Sequence, residues 1–137
     1  LEQLAVQAII SRGSQSDMIP LMRLYQQMLD LAAENDHQAH IESDLAFHRT
    51  LCALSGNRRL LGIWDLISGQ VRLTLAVQAQ AVPDALCEIA QSHKELLDAI
   101  AHGDAVTASR FFAHNFEVFE PVKAYLRRRN AASGSNV

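Results

Sequence analysis

The chain has 137 residues, 49% of them apolar and 20% charged, with only 6 glycines and 3 prolines. That composition excludes intrinsic disorder and suits a single domain with a hydrophobic core. A formal charge of -3 argues against this segment gripping nucleic acid by itself, because duplex binding relies on a field of Lys and Arg that neutralises phosphates.

Helical periodicity runs the length of the chain and no convincing strand is found. Leu1-Glu2-Gln3-Leu4-Ala5-Val6 already reads as the inside of a helix, and the chain does not start with Met, so an upstream part is expected to be missing. This opening helix ends near Ser11, and Arg12-Gly13-Ser14-Gln15 is a polar break. Ser16 or Asp17 can cap a second helix, which carries Leu21, Leu24, Tyr25, Met28, Leu31 and Ala32 on one face and tolerates Pro20 in its first turn. Asn35-Asp36 breaks the chain before a third helix that reaches about Ala53. Ser55-Gly56-Asn57 follows, with Gly56 suited to a left-handed turn and Asn57 to a cap. A long helix from about Arg58 to Gln80 presents Leu60, Trp64, Ile67, Val71 and Leu75. Pro83 opens a fifth helix that closes at His102-Gly103, and Asp104 caps a sixth from about Ala105 to Arg129. Residues 130–137 read as a frayed tail. The expected fold is an all-α antiparallel bundle of about six helices.

No signal peptide and no apolar run long enough for a bilayer is read, so a cytoplasmic location and no membrane partner are expected. Cys52 and Cys87 are far apart, outside any CxxC spacing and in apolar helical surroundings, which predicts buried free thiols.

Three apolar helix faces contain ionisable groups, which burial penalises unless they are satisfied. Asp44 and His48, four apart, share a face with Ile41, Leu45, Leu51 and Cys52. His93 lies in a stripe with Ile89, Leu96, Leu97 and Ile100, and His114 in line with Phe111, Val118 and Tyr125. His93 stands ten residues before Gly103 and His114 eleven after it. At about 1.5 Å of rise per residue an antiparallel hairpin brings both to one level, roughly 15 Å from the turn. One carboxylate and three imidazoles suit zinc, nickel, manganese or iron and leave positions open for water or a ligand. Hydrogen-bonded core histidines and a local Asp–His salt bridge fit the same spacing, which leaves both readings open.

The remaining polar residues carry less. Glu34-Asn35-Asp36-His37 has ExxH spacing, but di-iron bundles need two such motifs and this one straddles a break. His40, one turn before Asp44, suits a solvated position or else an outer contact to that site, His102 a helix C-terminus, and Arg127-Arg128-Arg129 the end of a helix dipole. Arg72, amid Val71, Leu73 and Leu75, could grip a carboxylate bidentately, or be a surface cation on an apolar stem.

Asp44-Leu45-Ala46-Phe47-His48-Arg49-Thr50-Leu51, followed by Ser55-Gly56-Asn57-Arg58-Arg59-Leu60, resembles the D-x-x-F-H-x-x-L…(S/A)-G-N-x-x-L signature of the FCD domain. This is the effector-binding half of FadR-type regulators in the GntR family. The stretch from Ser92 and His93 to Gly103 and Asp104 is similar to that family's H-x-x-(I/L)-x-x-A-I-x-x-G-D element, and His114 stands where the family has its last histidine. The resemblance covers essentially the whole chain. It implies a divalent transition metal, zinc foremost, on Asp44, His48, His93 and His114 in a central cavity of the bundle, and a small organic acid that completes the coordination. It further implies that Arg72 binds this effector, that residues 1–129 form an effector-binding and dimerisation domain working as a homodimer, and that 130–137 form a flexible tail. DNA would be read only by a winged helix-turn-helix upstream, absent here. The resemblance implies no enzyme. The rival reading is a metal-dependent hydrolase or lyase, which would want a general base near the ion. No H-E-x-x-H is present and Glu95 faces away from His93 on its helix. An ion that only braces the bundle is a third reading.

Overall fold

The computed structural model describes residues 1–13, 17–117 and 119–134, and their side chains except those of 114–117, 119–123, 125 and 126. Among the described residues there are seven α-helices and no strand: α1 Glu2–Arg12, α2 Met18–Ala33, α3 His37–Leu54, α4 Arg58–Ala81, α5 Leu86–Ala101, α6 Ala105–Glu117 and α7 Phe119–Gly134. The all-α expectation holds.

Boundaries fall where the side chains can satisfy free backbone groups. Gly13 closes α1 at φ 64°, a left-handed conformation that costs glycine nothing, and its N–H donates to the Ile9 and Ile10 carbonyls. Asp36 caps α3 by accepting from the Ala39 amide at 3.1 Å. Asn57 Oδ1 accepts from the Arg59 and Leu60 amides at 3.0 and 3.4 Å, which makes it the structural cap expected at that turn. Asp104 accepts from the Thr107 amide at the start of α6. Asp17 precedes α2 without a side-chain cap bond, while Ser16 lies outside the described residues.

The structure revises several sequence expectations. Pro83–Ala85 is a short 3-10 turn, so α5 begins only at Leu86. The expected sixth helix is matched by α6 and α7, which adjoin Val118, a residue outside the described ones. α7 continues to Gly134, through Ala131 and Ala132, beyond the expected end at Arg129. Cys52 is buried as expected, and burial pushes its thiol up to about 11. Cys87 is exposed, because Leu86, Ala90 and His93 form the inward stripe of α5 and position 87 is turned away from it. α4 is long and apolar enough, by length and composition, to cross a bilayer, contrary to the sequence reading. Here it packs along α3 and α7 as a bundle helix.

The main core gathers Val6 and Ile9 of α1, Leu21 and Met28 of α2, Phe47 and Leu51 of α3, Leu96 of α5 and Phe111 of α6. Full burial of a ring such as Phe47 is worth about 3–5 kcal/mol against its loss to alanine. A second, smaller cluster joins Leu45 and Cys52 of α3 to Trp64 of α4, with Ile67, Val71 and Leu75 packed against it, the face foreseen for α4. α3 lies against α1, α2 and α4, and α5 against α1, α2 and α6. The inner faces of α3 and α5 thus meet in the interior, where the polar residues collect.

Candidate metal centre

Asp44 belongs to the stripe of α3 formed by His40, Asp44, Phe47 and Leu51, all of them buried. His48, one turn on, leans toward α4, where its ring stacks on Trp64 at 5.8 Å. His93 reaches the same point from α5, clamped edge-on by Phe47 at 4.9 Å and by Phe111 of α6 at 5.4 Å. Asp44 is 4% exposed and His93 2%. Ring packing therefore leaves these imidazoles little rotational freedom.

The three polar groups converge on one atom. His48 Nε2 lies 3.0 Å and His93 Nε2 3.1 Å from Asp44 Oδ1. The three ligand atoms stand within 4.8 Å of one another. Ligand atoms at about 2.0–2.2 Å from a shared ion are themselves roughly 3 Å apart, so the spacing fits first-row coordination.

The outer nitrogens decide what the inner ones can be. His93 Nδ1 is 2.9 Å from the Ile89 carbonyl, which only accepts, so Nδ1 carries the proton. His48 Nδ1 meets the Glu2 carboxylate, and it too must donate. In the neutral imidazoles both Nε2 atoms then hold lone pairs, and both face the oxygen of a carboxylate. Three electron-rich atoms in a buried site repel unless a cation lies among them. Protons can serve, which makes the histidines imidazolium; a metal ion can serve instead, with the Nδ1–H bonds as the outer contacts that ligating histidines ordinarily make. The charges agree. Burial would raise the Asp44 carboxyl, but His93 and His48 outweigh it and hold it far below the usual carboxylate range. Burial would lower His48, but Glu2 and Asp44 together push it up to about 10.

Of the site residues expected from sequence, the structure brings Asp44, His48 and His93 together. His114 falls within α6, and its side chain lies outside the described residues. Arg72 is elsewhere, on the exposed side of α4. Its Nε and Nη2 donate to Glu42 Oε1 and Oε2 at 2.7 and 2.9 Å, with both side chains about half exposed.

Two residues were missed. Glu2 belongs to α1. It lies on the inward stripe with Ala5, Val6 and Ile9, so its signal was the irregularity that marked Asp44: an acid on an apolar face. His40, expected in solvent or as an outer contact, is 2% exposed. It occupies the core stripe one turn before Asp44, and its Nε2 is buried without a hydrogen-bond partner among the described residues. Burial holds it below the ordinary histidine value, with Asp44 opposing and His93 and His37 reinforcing the shift.

Comparison with known proteins extends this picture. The model of the FCD domain family matches residues 1–117. A probable D-xylose utilization operon transcriptional repressor from Paenarthrobacter nicotinovorans is 26% identical over 101 residues, which are 74% of this chain and 44% of that protein. The chain thus spans less than half the length of that curated relative.

Proposed function

This chain belongs to the FCD domain family, and on that premise we propose that it is the effector-sensing domain of a GntR-type bacterial transcription regulator rather than an enzyme. The observation that carries the metal part is the convergence of two imidazole Nε2 atoms on Asp44 Oδ1 while both Nδ1 atoms are engaged elsewhere. In this reading Asp44, His48, His93 and His114 hold a divalent transition metal, zinc in preference to nickel, manganese or iron. Bound there, the ion would offer a Lewis-acidic position to a small organic acid in a cavity of the bundle.

The chain's own residues supply the rest. Phe47, Phe111 and Trp64 keep the histidine rings in place and exclude water from them. Arg72, proposed as the effector's cation, would have to leave Glu42 on the outer side of α3 to meet an acid held at the metal on the inner side. The domain extends through α7, which reaches Gly134 rather than the expected Arg129. Ile63, Leu66 and Leu73 leave an exposed apolar stripe along α4, which supports a homodimer. DNA would be read by a winged helix-turn-helix upstream, in the cytoplasm and away from membranes. The repressor relative supports the regulatory reading. The hydrolase alternative finds no support at Glu95, which is exposed on the far side of α5.

Effector binding regulates only if it favours one DNA-binding arrangement over another. Metal analysis of the purified domain, followed by calorimetric titration of a panel of small carboxylic acids with and without chelator, tests the sensor: acids should bind only the loaded protein. Operator affinity of the full-length regulator should then change at saturating acid, and an unchanged affinity would sink the proposal.

A further inference from the structure

His93 and His48 solve one problem by different means. His93 donates from Nδ1 to the carbonyl of Ile89, four residues earlier on its own helix. His48 instead turns its Nδ1 to the Glu2 carboxylate, with Asp44 against its other nitrogen. Left to itself, a neutral His48 would place its proton on Nε2 and donate it to Asp44 Oδ1, so that hydrogen would point where an ion must sit. The acceptor that draws the proton to the far nitrogen comes from another helix.

We propose that Glu2 is a positioning residue of the metal site: by accepting from His48 Nδ1–H it selects the tautomer and ring orientation that present Nε2 to the ion. The inference rests on the metal reading of Asp44, His48 and His93. Its geometry is independent of that reading. Glu2 and His48 are 46 positions apart, both side chains are largely buried, and α1 packs directly on α3. A partly buried carboxylate–imidazole bond of this kind is the outer contact whose loss ordinarily weakens metal binding 10–100-fold. The same bond ties α1 to the site.

The test is a Co2+ and Zn2+ titration of the wild-type domain, Glu2→Ala, Glu2→Gln and His93→Ala, read by the cobalt absorption bands and by competition with a chelator. Glu2→Ala should bind each ion about 10–100-fold more weakly, with altered cobalt bands. Glu2→Gln keeps an acceptor oxygen and should recover most of the affinity. Cobalt loading should slow amide exchange at Ala5 and Val6 in wild type but not in Glu2→Ala. Wild-type affinity and bands in Glu2→Ala would overturn the assignment while leaving the metal reading intact. Absence of ion binding by the wild-type domain, or binding indifferent to His93→Ala, would overturn the metal reading and the assignment with it. If Glu2→Ala does not fold, Glu2→Gln decides: a loss as large as that of His93→Ala would exclude a role limited to accepting the hydrogen bond.

Discussion

Helix α3 carries carboxylates on opposite sides, and water makes them different objects. Outside, Glu42 grips Arg72 and Arg49 grips Asp65, each through two bonds of 2.7–3.1 Å, with side chains about half exposed. Inside, Asp44 meets two imidazoles at 3.0 and 3.1 Å, nearly sealed from solvent. The contact lengths are alike. The outer pairs exchange hydration for each other and are screened by salt, so they add little. The inner group cannot exchange back, so its neighbours must supply all the charge that water would have supplied. Length of contact is therefore a poor guide to importance, and burial a good one.

The contrast breaks most visibly at Asp44. Asp44→Ala leaves two histidines without the acid that stabilises their charge, and removing one partner of a buried pair costs about 3–5 kcal/mol. Urea unfolding in the presence of chelator should show a loss of that size, and cobalt binding should disappear. A loss below about 1 kcal/mol would place Asp44 with the outer pairs.

The pH dependence separates the two sides next. His48 is raised to about 10, so its contribution to the stability of the metal-free domain is complete below its ordinary value and fades as pH rises through about 10. Asp44 is depressed, so its contribution is present above the ordinary carboxylate range and is lost only as pH falls below it. From pH 7 to 10 the metal-free domain should weaken by up to about 1.4 kcal/mol per pH unit, one proton's worth. Metal affinity should move the other way and strengthen, since His48 must shed its proton to coordinate. Chelated and zinc-loaded melts across this range should converge toward pH 7 and diverge toward pH 10. In His48→Gln the slope of the chelated protein should flatten, whereas Glu42→Gln should leave it unchanged.

A smaller effect is expected at His40. Its Nε2 is buried without a partner among the described residues, so the nitrogen contributes desolvation cost and no bond. His40→Leu should leave the metal-free melting temperature unchanged or raise it, by no more than about 1 kcal/mol equivalent. A fall of several degrees would mean that this nitrogen is satisfied in solution.

Where the sequence was legible, one residue type did the work locally. Gly13, Asp36, Asn57 and Asp104 each satisfy a helix end through conformation or a short-range bond, so the breaks could be read from neighbours alone. The pair His48 and His93 was legible because one turn of α3 and one turn of α5 each expose an ionisable group on an apolar stripe. His40 obeys that rule too, and its place one turn before Asp44 allows either a solvated position or an outer contact; only packing against the core decides for the buried one. Glu2 was harder. Its partner is 46 positions away on another helix, so no local pattern reveals the contact.

Arg72 gives the finest test, because sequence alone could not say which side of α4 it would take. It is exposed and already paired, so Arg72→Ala should leave the melting temperature unchanged, as should Glu42→Ala. Their effects on acid binding should be opposite. If Arg72 exchanges Glu42 for the effector, Glu42→Ala removes the competitor and should tighten acid binding, while Arg72→Ala should weaken it by about tenfold, the worth of a charged hydrogen bond. Calorimetry on the zinc-loaded variants reads both. Equal affinities in wild type and Arg72→Ala would confine effector recognition to the inner side of α3 and leave the outer pair as a solvated strap between α3 and α4.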